Sequence, residues 1–178
     1  MGVIGSLKED WSLRCVRIVE SNPDELRALG RFMRDAWKTA GPGALGWTGA
    51  SEDTIQEISS EKYLRKLVSD RNMRFFSSEE NGEITGFAAV RVQDDSTMEL
   101  AGIIVHEDLL GKGIGSLLLS RCVEFAREAG STNIVVKTET SNERAIIFYV
   151  NKGFVRLGDA VETVEGSNVE LTTLKLVL

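Results

Sequence analysis

Gly111, Lys112, Gly113, Ile114, Gly115 and Ser116 set three glycines at alternate positions with a lysine among them. Glycine admits dihedrals closed to other residues and lets the backbone come close to a ligand. Where such a run opens a helix, the first amide N–H groups lack intrahelical acceptors and carry the positive end of the helix dipole. Amides of that kind, with Lys112 nearby, suit a pyrophosphate. The same letters also serve a tight strand-to-helix turn that holds no ligand. Spacing narrows the choice. A Walker loop needs G-x-x-x-x-G-K-S/T, and here Gly113 follows Lys112. The dinucleotide fingerprint G-x-G-x-x-G is not met either, so a nucleotide-binding module is disfavoured.

Few other residues offer strong chemistry. His106 is the single histidine, and Cys15 and Cys122 are the two cysteines. That set argues against a zinc site, and against a Ser–His or Cys–His triad unless His106 is its base. The cysteines are too few and too far apart for a disulfide framework. Cys122 belongs on the apolar face of its helix and reads as core. Histidine is a common general acid or base, but His106 lies past a strand end, where a structural or solvated role is expected. The net charge of −6 argues against a general nucleic-acid binder and leaves room for a cationic substrate.

The segments around the glycine run must place it. Leu13 to Glu20 alternates like a strand, and Asn22-Pro23-Asp24-Glu25 starts a helix that runs to about Ala40. Gly41-Pro42-Gly43 stops that helix, and an irregular stretch extends to about Ser51. One helical region follows, carrying Ile55, Ile58, Tyr63, Leu64, Leu67 and Val68. Met73 to Ser78 and Ile84 to Val92 read as a hairpin turned by Asn81-Gly82. Thr97 to His106 is a strand, Gly113 to Ala129 a helix and Asn133 to Thr138 a strand, a βαβ unit whose two strands should lie parallel. Glu143 to Lys152 is a helix, and Phe154 to Val161 with Val169 to Val177 form a closing antiparallel pair. The expected fold is α/β (α+β), a mixed twisted sheet of about seven strands flanked by about four helices. Residues 12–178 are expected to form a single domain behind a tail at 1–11. Met1-Gly2-Val3-Ile4-Gly5-Ser6 fits the loose myristoylation pattern, although a frayed tail is the plainer reading. Met1 to Trp11 has no apolar run flanked by basic residues and no apolar stretch is long enough for a membrane span, so no secretory signal and a cytoplasmic protein are expected.

The strand–loop–helix run resembles motif A of the GNAT superfamily of N-acetyltransferases, whose consensus is Q/R-x-x-G-x-G/A. Asn142-Glu143-Arg144-Ala145-Ile146-Ile147-Phe148-Tyr149-Val150-Asn151-Lys152-Gly153-Phe154 is similar to the family's motif B, N-x-x-A-x-x-x-Y-x-x-x-G-F. The two motifs stand in the family's order, and the resemblance covers about residues 84–157. It implies the GNAT acyl-CoA N-acyltransferase fold and transfer of an acetyl group from acetyl-CoA to an amine, with no metal. One position departs from the pattern: Leu110 stands where the family has Gln or Arg. Its side-chain bond to the pyrophosphate is lost, which predicts weaker cofactor binding through the remaining amides of Gly111 to Ser116.

By the same resemblance, main-chain groups of Ile103, Ile104 and Val105 pair with the pantetheine arm like an added strand, and the Val105 amide polarises the thioester carbonyl. Tyr149 occupies the general-acid position at the CoA sulfur. Asn142 contacts the cofactor, caps the helix that follows, or does both. Glu99 matches a catalytic glutamate of the histone-acetyltransferase branch, and is otherwise a solvated strand residue. Trp37 and Trp47 flank the stretch expected to cover the acceptor, where they shape an amine pocket or pack on the core. A homodimer is in keeping with the family. Three readings stand: an active N-acetyltransferase, a non-catalytic acyl-CoA-binding or regulatory protein motivated by Leu110, and the disfavoured nucleotide module.

Overall fold

A computed structural model describes residues 15–19, 22–39, 52–164 and 167–178. The expected tail, Trp47 and the irregular stretch at 41–51 lie outside the described residues. Strand β1 (Cys15–Ile18) leads to helix α1 (Pro23–Thr39), then α2 (Glu52–Ile58) and α3 (Glu61–Val68). The hairpin β2 (Met73–Glu80) and β3 (Glu83–Val92) precedes β4 (Thr97–Val105), α4 (Ile114–Glu128) and β5 (Asn133–Glu139). Helix α5 (Glu143–Asn151) and the pair β6 (Val155–Val164) and β7 (Ser167–Val177) complete the chain.

Local chemistry accounts for these boundaries. Asn22 Oδ1 accepts a hydrogen bond from the Asp24 amide at 2.9 Å, and Pro23 fills the first turn of α1, where its missing N–H costs nothing. Asn81 and Gly82 both take positive φ, 53° and 82°, as a two-residue hairpin turn requires. The helical region expected as one run divides into α2 and α3. Ser59 Oγ donates back to the Ile55 carbonyl at 2.6 Å, and Ser60 Oγ accepts from the Tyr63 amide at 3.2 Å, capping a new helix.

The seven strands run in the order β1-β2-β3-β4-β5-β7-β6. Every neighbouring pair is antiparallel except β4 and β5, the parallel pair anticipated from the βαβ unit. Two hydrophobic clusters sit on opposite faces of the sheet. Phe76, Ala88, Val90, Met98 and Leu100 meet Leu118 and Cys122 of α4 and Tyr149 of α5. Phe75, Phe87, Ala89 and Ile104 meet Leu26, Leu29, Phe32 and Met33 of α1 and Leu64 of α3. With helices on both faces, β3 is buried over six consecutive residues, Thr85 to Val90.

The parallel pairing is short. Thr97 to Leu100 pair with Asn133 to Val136, and beyond this β4 stays with β3 while β5 stays with β7. Ala89 faces Gly102 and Val90 faces Leu100, leaving Ala101 as an extra residue in β4. Such a bulge bends its strand and increases the local twist. The two central strands therefore diverge after Leu100.

Two stability outcomes follow from this packing. A Cβ at Gly30 of α1 would lie 2.2 Å from the Ser59 carbonyl oxygen, a position also held by Arg34 Nη1 at 3.3 Å. Gly to Ala inside a helix ordinarily stabilises by roughly 0.5–1 kcal/mol. Here the collision reverses the sign, and Gly30→Ala is expected to lose about 1–3 kcal/mol in urea unfolding. Cys122 is fully buried, and burial pushes its thiol up to about 12. Alkylation at about pH 8, read by peptide mapping, is expected to spare Cys122 in the native protein and to modify it once the chain is unfolded.

Candidate active site

A cavity of about 330 Å³ opens where β4 and β5 part. Its walls come from Ile103, Ile104 and Val105 of β4, from Leu110, Gly111 and Gly115 at the start of α4, and from the first two turns of α5. Ala36 of α1 closes it on the opposite face of the sheet.

The β4 wall is a strand edge without a partner strand. The His106 amide donates to the Thr85 carbonyl of β3 at 3.2 Å. Successive amides of a strand alternate in direction. The amides of Val105 and Ile103 therefore point into the gap, while that of Ile104 points to β3. Of the three residues expected to supply main-chain contacts, Ile103 and Val105 turn their amides toward the gap, while the Ile104 side chain packs in the α1 cluster.

At the loop, Gly111 and Gly113 take φ of 77° and 83°, the left-handed region that favours glycine. Gly113 caps α4 with no side-chain hydrogen bond, and the first turn carries no acidic residue. The amides of Ile114, Gly115 and Ser116 thus lack intrahelical acceptors at the positive end of the dipole. A Cβ on Gly111 would meet nothing within 4 Å, so the cradle is open. Gly115 serves packing instead. Its helical position faces the Phe148 ring, 3.6 Å from an added Cβ, and it sets the spacing between α4 and α5. Ile114 is in the core, and Lys112, Gly113 and Ser116 lie beside the cavity rather than in its walls.

On α5, Asn142 Oδ1 accepts from the Ala145 amide at 3.1 Å, so this side chain caps the helix and also lines the cavity. Tyr149 is 6% exposed and held in an aromatic block, with Phe148 edge-on at 5.2 Å and Phe154 at 5.3 Å. Burial, with the Cys122 thiol nearby, holds the phenol well above the usual tyrosine range, so it stays protonated at neutral pH.

Glu99 is not brought to the cavity. It faces Arg91 across the β3–β4 ladder, and both Nη2 (2.5 Å) and Nε (3.1 Å) donate to its Oε2. In a regular strand, positions 99 and 105 would share a face, but the bulge at Ala101 shifts the alternation by one residue. Val105 packs with the α4 cluster, and Glu99 falls on the α1 side. His106 lies in a separate hollow near Asp108, Glu80 and Glu83. Trp37 packs half-buried against the α1 cluster.

Sequence reasoning did not single out Arg144 or Phe148, which line the cavity beside the motif residue Ala145, or Glu107 before the loop. Helical spacing ties Ala145 to Tyr149, one turn on, whereas nothing along the chain marked Arg144. Glu139 at the end of β5 is not among the cavity walls. It is buried, and Ser141 Oγ donates to it at 3.3 Å. Among the described residues no His, Cys, Asp or Glu group could hold a metal, and no helix is long and apolar enough to cross a membrane.

The acetyltransferase (GNAT) family model matches residues 33–154. The L-amino acid N-acyltransferase MnaT of Escherichia coli K12 is 36% identical over 108 residues, covering 57% of this chain and 62% of that protein. N-acetyltransferase 8 of Rattus norvegicus is 29% identical over 101 residues, covering 54% and 46%. The matched stretch thus spans less than two thirds of each of these relatives. In fold, the chain is similar to an N-acetyltransferase from Staphylococcus aureus Mu50, with a TM-score of 0.71 at 23% identity over 92% of this chain and 98% of that one. The PaiA N-acetyltransferase of Thermoplasma acidophilum, solved in complex with coenzyme A, gives a TM-score of 0.66 at 20% identity over 89% and 98%. With its parted central strands, its glycine loop and this match over most of its length, the chain belongs to the GNAT acetyltransferase family.

Proposed function

We propose that the chain is an acetyl-CoA-dependent N-acetyltransferase that acetylates a primary amine by direct attack in a ternary complex. The observation that carries this reading is one continuous cavity, running from the open amides of the glycine loop, along the unpaired edge of β4, to the buried phenol of Tyr149. The donor set fits CoA: amides for the diphosphate, a free strand edge for the pantetheine amides, and a proton donor beyond. Acetyl-CoA would supply the activated acyl thioester.

Each group of the chain then has a role. The amides of Ile103 and Val105 hold the pantetheine arm, and that of Val105 donates to the thioester oxygen as charge develops there. Tyr149 hydrogen-bonds to the departing sulfur. A thiol titrates near 8.5, well below this buried phenol, so full proton transfer would be uphill and a hydrogen bond to the thiolate is the favoured role. Glu99, tied to Arg91 outside the cavity, would take the ammonium proton only through water. The acceptor class is an amine, in keeping with the name of MnaT and with the spermidine acetyltransferase SpeG among the structural relatives. The charge of −6 favours a cationic acceptor. A non-catalytic acyl-CoA-binding protein is the second reading, favoured by Leu110 at the usual Gln or Arg position.

CoA and acetyl-CoA are expected to raise the thermal midpoint, and ATP to leave it unchanged. Release of CoA thiol over a panel of amines separates the two readings, since a binding protein gives the shift without release. Tyr149→Phe is expected to lower kcat about 10- to 100-fold, the loss of one hydrogen bond to a charged group, with CoA affinity retained. An unchanged kcat refutes the role given to the phenol. Gly113→Ala places an L residue at φ 83°. It is expected to cost about 1–2 kcal/mol of stability and to weaken CoA binding, both read by thermal shift.

A further inference from the structure

Leu110 leaves the loop end of the cavity without a side-chain donor. Lys112, the cation of the loop, is not among the walls. Across the gap, Arg144 is. It sits in the first turn of α5, exposed, and its guanidinium makes no hydrogen bond or ion pair with any described residue. A cation in the first turn of a helix opposes the dipole, so its placement does not serve the helix. Glu107, the acid among the described walls, is exposed on the turn before the loop and does not pair with Arg144. Arg144 and Leu110 thus line one cavity from two elements, one charged and the other apolar.

We propose that Arg144 replaces the missing donor at position 110 and binds the diphosphate of CoA from the α5 side, opposite the amides of Gly111 to Ser116. The inference rests on the acyl-CoA reading above and names the residue that sets cofactor affinity. A guanidinium suits this role because its planar fork donates two parallel hydrogen bonds to phosphate oxygens. Its position has a second effect. Arg144 is on the helix that carries Tyr149, so engaging the diphosphate ties the phenol's helix to the cofactor. A donor on the glycine loop makes no such link.

The test is calorimetric binding of CoA and of 3′-dephospho-CoA to the wild-type chain, Arg144→Ala, Arg144→Lys and the double variant Arg144→Ala/Leu110→Arg. Arg144→Ala is expected to weaken both ligands alike, about 10- to 100-fold, as for one charge-assisted bond, with an unchanged thermal midpoint in the absence of ligand. Arg144→Lys should recover part of the loss, and Leu110→Arg in the alanine background should recover most of it. Wild-type affinity in Arg144→Ala overturns the proposal. So does a loss confined to CoA, which would place the guanidinium on the 3′-phosphate, or a failure of Leu110→Arg to rescue. If the wild-type chain binds neither ligand, the acyl-CoA reading itself fails and takes this inference with it.

Discussion

The site exists because two adjacent parallel strands stop pairing. Strands β4 and β5 share hydrogen bonds over only four residues of each, and their remaining lengths are committed to β3 and β7. The extra residue at Ala101 turns β4 away from β5, and β4's continued ladder with β3 holds it there. Unpaired backbone donors and acceptors inside a fold are costly unless water or a ligand completes them. A gap of this kind therefore asks for an extended polar chain of strand-like spacing. The same bulge decides which side chains face the cavity, because it reverses the alternation along β4. It turns Val105 to one side of the sheet and leaves Glu99 on the other.

Two helices meet over that gap, and each brings a different chemistry. Helix α4 begins at a glycine whose left-handed conformation leaves the amides of the first turn pointing outward. Helix α5 begins at Asn142, which satisfies the Ala145 amide, and carries Tyr149 two turns further on. The aromatic block of Phe148, Tyr149 and Phe154 is part of the α4-side core, and Phe148 rests against Gly115. The phenol is thereby immobilised by the same contacts that hold the two helices together. Its burial also keeps it protonated, so that it offers a hydrogen bond rather than a charge.

The far side of the sheet is held by a different contact. Gly30 lets α1 come against the Ser59 carbonyl, and Arg34 donates to that carbonyl and to Ser59 Oγ. Helix α1 is thus fixed to the short helices that follow, and Ala36 near its end forms part of the cavity wall. This face of the sheet is anchored by a backbone contact, whereas the cavity is lined by the β4 edge, the glycine loop and aromatic rings.

Much of this was legible in the order of residues alone. Hydrophobic periodicity, the Asn81-Gly82 turn and the strand–helix–strand run named the elements, and the two motifs named the family, because those signals are local. They arise from neighbours a few positions apart, which one turn or one strand brings together. What the letters did not contain was anything set by pairing across the sheet. The division at Ser59 and Ser60, the insertion of β7 between β5 and β6, and the bulge at Ala101 depend on partners far away in the chain. Glu99 is the clearest case. The resemblance made it a candidate base, and one unpaired residue between it and Val105 put it on the other face. Arg144 is the converse: an ordinary helix residue in the sequence, it becomes a wall of the cavity only when α5 folds over the loop at Leu110. Sequence determined the elements and the chemistry they carry. Tertiary structure decided which side chains share a space, because register and bulge act across strands and leave no mark on the spacing along one.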